Sequence, residues 1–69
     1  MPLTFVQAGT NVRIKKVGGR PETRQFLEGL GFVAGGMVSV ISQIGGSVIL
    51  EVKGTRVAVN RDMAAKILI

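Results

Sequence analysis

The chain has 69 residues, with nine Lys and Arg against four Asp and Glu, no Cys, His, Trp or Tyr, and a formal net charge of +5. Its length excludes a multidomain enzyme, because a chain of this size buries only about 60% of its unfolded surface and leaves roughly 4,200 Å² exposed. The lack of thiol and imidazole excludes disulfides, sites built on those metal ligands, and Ser-His or Cys-His nucleophilic catalysis, while the charge favours an acidic partner, nucleic acid or an anionic membrane surface.

Residues 11–17 alternate Val12 and Ile14 with Arg13 and Lys15, the period of a half-buried first strand, which Gly18-Gly19 ends. From Pro21 the period changes. Thr23, Phe26, Leu27 and Leu30 recur at helical spacing, Pro21 suits a first helical position, and Gly31 suits the left-handed residue just past the last turn. A Schellman closure would set Phe32 against Leu27. Gly29, inside this helix, costs on the order of 1 kcal/mol relative to alanine, so a neighbouring strand is expected to approach it too closely for a side chain.

Beyond Gly35-Gly36, residues 37–43 and 47–53 both alternate and must pair with their apolar faces aligned. A three-residue connection of Ile44, Gly45 and Gly46, with Gly46 left-handed, sets Val38 against Val52, Val40 against Leu50 and Ser42 against Val48. A two-residue Lys53-Gly54 turn then opposes Val52 to Thr55, Leu50 to Val57 and Val48 to Val59. On the outer side Glu51 meets Arg56 as an ion pair, and Ile49 lies beside Ile41 and Ala58. Met37, Ile41 and Ile49 are expected to be covered by the helix and the amino-terminal segment. Asn60 caps one helical turn over Arg61–Ala64, and residues 67–69 return as a strand that closes the sheet. The expected fold is mostly β. It is a small five-stranded SH3-like barrel forming a single domain over residues 1–69, with one short helix between the first two strands and a helical turn before the last.

Catalytic chemistry finds little support in the remaining residues. Glu22 and Glu28 stand about 600° apart around a helix axis and cannot form a carboxylate dyad. Neither a catalytic site, a metal site nor a cofactor is expected, and the chain is expected not to be an enzyme. Gly29-Leu30-Gly31-Phe32-Val33-Ala34 matches the dinucleotide pattern G-x-G-x-x-A, but its glycines close a helix, whereas a pyrophosphate site needs them to open one. Two of the three phenylalanines are expected in packing, which leaves no aromatic groove for proline-rich peptides. Single-stranded nucleic acid stays open as an alternative on charge alone, without the stacking platforms it needs. No basic leader and no membrane-length apolar run is present, so a cytoplasmic setting is expected.

Arg13, Lys15, Lys16, Arg20 and Arg24 fall within the first 24 residues beside one acid, Glu22. Lys15, Lys16, Arg20 and Arg24 are the candidates for steering an acidic partner, and Phe26, Leu27 and Phe32 for an adjoining apolar cleft. For these last three, plain core packing is the competing reading, because burial alone produces their spacing.

Across nearly the whole chain, this pattern resembles the FeoA family of small proteins associated with bacterial ferrous iron uptake. The resemblance rests on Leu3, Gly9, Gly19, Arg24, Leu27, Leu30-Gly31-Phe32, Gly35, the valines from Val38, Lys53-Gly54-Thr55-Arg56-Val57-Ala58-Val59, Ala64 and Ile67. Where many members have Gly-Pro in the central hairpin, this chain has Gly46-Ser47. What the resemblance implies is an SH3-like accessory that takes no small-molecule substrate and binds the cytoplasmic GTP-binding region of the FeoB permease, reaching the membrane only through it. Similar domains also serve metal-dependent repressors as regulatory modules, an alternative for which this chain carries no DNA-binding helix pair.

Overall fold

The computed structural model describes residues 1–69. In chain order it contains a 3-10 turn at Leu3–Phe5, β1 (Asn11–Arg13), β2 (Lys16–Val17), α1 (Pro21–Leu30), β3 (Met37–Ile44), β4 (Ser47–Val52), β5 (Thr55–Asn60), α2 (Arg61–Ala64) and β6 (Ile67–Leu68). Four strands form an antiparallel sheet in the order β1-β3-β4-β5, and β2 pairs with β6 as a separate ribbon. The architecture is the expected one of mostly strands with two short helices. It has six strands where five were expected, and β6 does not close the main sheet into a barrel.

The extra strand arises where residues 11–17 change partner. Val12 and Arg13 pair with Val38 and Met37, and Ile14 then exchanges backbone bonds with the turn before β3, donating to Gly36 O and accepting from Gly35 N. Immediately afterwards Lys15 N donates to Leu68 O. A single alternating stretch thereby serves two sheets and drives Ile14 and Val17 into the core between them. The Leu3–Phe5 turn, which no local pattern announces, buries Leu3, and Gln43 Nε2 donates to Thr4 O and Val6 O to hold it against β3.

Both hairpins depend on residues able to take positive φ. At the second, Lys53 and Gly54 adopt φ 52° and 78°, and the whole β4–β5 register matches expectation, from Val52↔Thr55 to Val48↔Val59. The first hairpin is corrected. Its Val38↔Val52 and Val40↔Leu50 pairs are as expected, but a bulge between Val40 and Ser42 takes up the extra residue, so Ser42 meets Ile49 and Gln43 meets Val48. Gly45-Gly46 is therefore a two-residue turn, with Gly45 rather than Gly46 at positive φ. The bulge reverses the facing of the residues beyond it. Gln43 is consequently directed to the 3-10 turn.

The core is one cluster of 14 buried residues drawn from every layer, including Leu27, Phe32, Val40, Leu50 and Ile67. The total exposed surface, 4170 Å², is what the mass requires. The cover expected over Met37, Ile41 and Ile49 is incomplete: Ile41 and Ile49 are only half-buried, and Met37, at the rim beside Arg13, is 51% exposed.

Helix α1 starts at Pro21 and ends in the expected Schellman closure, with Phe32 N donating to Leu27 O and Gly31 N to Glu28 O, both at 3.0 Å. The expectation for Gly29 is overturned. A Cβ there would meet nothing within 4 Å, so no strand crowds it. Gly29→Ala should accordingly stabilise the protein by about 1 kcal/mol, read as a raised urea midpoint at constant slope. A loss of stability would mean that the helix needs glycine there.

Candidate interaction surface

The β2–β6 ribbon has two unlike faces. Val17 and Ile67 pair and point into the core, which places Lys16 and Leu68 on the opposite side. Gly18 N donates to Lys66 O at 2.7 Å, so the strand period brings Lys66 to the same outer side as Lys16. The Lys66 stem crosses Gly19, where an added Cβ would lie 3.4 Å from its Cγ. Arg20 follows as the residue before α1, and Arg24 stands one turn further on, its N–H bonded to Arg20 O. Lys15 is exposed at the break between β1 and β2.

All five of these cations are exposed, and none lies within 4.0 Å of a carboxylate, since Arg56 with Glu51 is the one side-chain ion pair. The positive end of α1 adds to their field, because its first turn has no side-chain cap, and Glu22 is the one acid in it. Lys66 escaped the sequence reading. No local signal links it to Lys16; only the pairing of β2 with β6, fifty residues apart in chain order, makes them neighbours.

The apolar candidates separate. Leu27 and Phe32 are fully buried and present no surface. The expected cleft of Phe26, Leu27 and Phe32 is thus corrected to two core residues and one surface residue. Phe26 is 51% exposed, and at two residues' spacing it points about 200° away from Arg24, so the two flank the buried stripe of α1 on opposite sides. Phe5 is also open, at 71%, so one phenylalanine rather than two is enclosed in the core. The carboxylates Glu22, Glu28, Glu51 and Asp62 do not gather in groups of three or more.

Comparison with known proteins places these features in a family. The FeoA domain model matches residues 1–69. A protein of Methanocaldococcus jannaschii named for Fe(2+) transport is 34% identical over 68 residues, covering 99% of this chain and 83% of that one. The fold matches the crystal structure of an iron uptake regulatory protein, FeoA, with a TM-score of 0.88 and 26% identity over 97% of this chain and 91% of that one. It also matches the zinc-complexed FeoA of Stenotrophomonas maltophilia, described as a prokaryotic SH3 domain protein, with a TM-score of 0.87 and 23% identity over 99% of this chain and 87% of that one.

Proposed function

The chain belongs to the FeoA domain family, and from that membership we propose that it is a non-enzymatic, cytoplasmic accessory of ferrous iron transport that docks on an acidic surface of the FeoB permease's cytoplasmic GTP-binding region. The observation that carries the reading is the set of unpaired cations, Lys15, Lys16, Arg20, Arg24 and Lys66, arrayed along the β2–β6 ribbon and the start of α1. Exposed charges of this kind contribute little to folding, so they are free to set the rate and orientation of encounter with an oppositely charged protein. Phe26, on the other flank of α1, lies outside this docking surface.

The test reverses Arg20→Glu and Arg24→Glu together and measures affinity for the purified cytoplasmic region of the permease over a range of salt. Binding should weaken about tenfold at low salt and become less salt-dependent, with the thermal midpoint nearly unchanged. Unaltered affinity at low salt would remove the electrostatic docking. Tight retention of a single-stranded oligonucleotide, lost in the same variant, would replace the protein partner by nucleic acid.

A further inference from the structure

β5 is the last strand of the four-stranded sheet, and its outer edge pairs with no other strand. The two-residue Lys53-Gly54 turn makes Val52 and Thr55 a doubly bonded pair, so the bonded pairs recur at Leu50 with Val57 and Val48 with Val59. Arg56 and Ala58 belong to the intervening pairs, and their N–H and C=O groups therefore point away from β4. No backbone bond outside the ladder involves either residue. Edges are commonly blunted by proline, a bulge or an inward charge. β5 has none of these: its sequence is TRVAVN, its register with β4 is unbroken, and its one charged side chain lies on the exposed side.

The side chains along this edge specify what could pair with it. Arg56 is 68% exposed and offers only Nε to Glu51 Oε2, at 3.9 Å, so the rest of its guanidinium is uncommitted. Ala58 is exposed and sits opposite the half-buried Ile49, leaving room for a large side chain above both. Val57, on the other side of the strand, is half-buried at the rim.

We propose that the β5 edge accepts an extended segment of a partner protein by strand addition, with an acidic residue beside Arg56 and a large aliphatic side chain over Ala58 and Ile49. A second copy of the chain is the less suitable occupant, because edge-to-edge pairing would bring together two molecules each carrying +5, whereas an acidic segment is drawn in. The proposal rests on the interaction-module reading above, but it uses a different surface from the cations of the β2–β6 ribbon.

The probe is a capped synthetic peptide whose centre reads glutamate, valine, isoleucine between terminal aspartates, and its control has the same charge with a central proline. Added to the full chain, the probe should slow amide exchange at Arg56 and Ala58, and the control should not. Ala58→Pro removes an outward N–H without breaking a bond to β4 and should weaken the probe about tenfold. Arg56→Glu leaves the backbone intact and should weaken it to a similar degree, which keeps the test decisive if the proline variant does not fold.

Unchanged exchange at Arg56 and Ala58 on binding overturns the proposal, as does affinity lost only in the Arg20→Glu, Arg24→Glu variant. Protection that grows with protein concentration in the absence of peptide also overturns it, by naming a second copy as the occupant. Permease docking is judged separately by the Arg20→Glu, Arg24→Glu measurement, so either idea can fail alone.

Discussion

Phe32→Ala should abolish or nearly abolish cooperative folding. Phe32 is the largest fully buried side chain, and it enters the single core cluster directly after the end of α1, where its N–H closes the helix on Leu27 O. Truncating a buried phenylalanine costs about 3–5 kcal/mol through lost transfer energy and the cavity left behind. A chain of this length has on the order of 5 kcal/mol of stability in all, and no disulfide is present to limit the unfolded state. Urea unfolding monitored by far-ultraviolet circular dichroism should show a midpoint near zero denaturant. A cost below about 1 kcal/mol would mean that the site collapses around the deletion or that Phe32 is not enclosed. The milder Phe32→Leu, measured below its melting temperature, should keep full affinity for the partner, because the side chain touches no surface; weakened binding by folded protein would return Phe32 to the docking site.

The second large effect concerns the residue beside it. Gly31 holds φ 109° and ψ 3°, a conformation that closes the Schellman bonds and turns Phe32 inward. Space is not the constraint: an added Cβ would lie 3.5 Å from Val52 Cγ2 and Lys53 Cδ, an ordinary contact. Backbone strain is. Gly31→Ala should cost about 2 kcal/mol, and Gly31→Asn less, since asparagine enters the left-handed region more readily. Matched urea midpoints for the three proteins check the ranking. Equal stability of glycine and alanine would contradict the backbone geometry. Set beside the expected gain for Gly29→Ala, the pair isolates one cause, because two glycines separated by one residue should respond with opposite sign according to φ alone.

The cations and the glycines were legible to different extents. Local rules sufficed for the helix, since Pro21, the Leu27–Phe32 spacing and Gly31 each act within a turn or two, and for the second hairpin, where a two-residue turn leaves one register that aligns the valines. The Asn60 cap of α2, with Met63 N donating to Asn60 Oδ1 at 2.8 Å, belongs to the same group. Gly29 misled because crowding and mere tolerance give glycine the same appearance in a sequence. The Phe26, Leu27 and Phe32 set misled for a related reason: apolar residues at helical spacing describe a buried stripe and its half-exposed margin alike.

From its sequence alone this protein's class of mostly strands with two short helices, the ends of its main helix, the β4–β5 register, its family resemblance and its excess of cations were determined, because each follows from short-range geometry or from simple counts. Only the tertiary structure decided that residues 11–17 divide between two sheets, that a bulge at Ile41 turns Gln43 towards the 3-10 turn, that Lys66 joins Lys16, and that β5 keeps an open edge. These depend on which strands far apart in the chain find one another. Backbone groups can satisfy their hydrogen bonds with several partners at similar energy, and it is the packing of one shared core that selects among them.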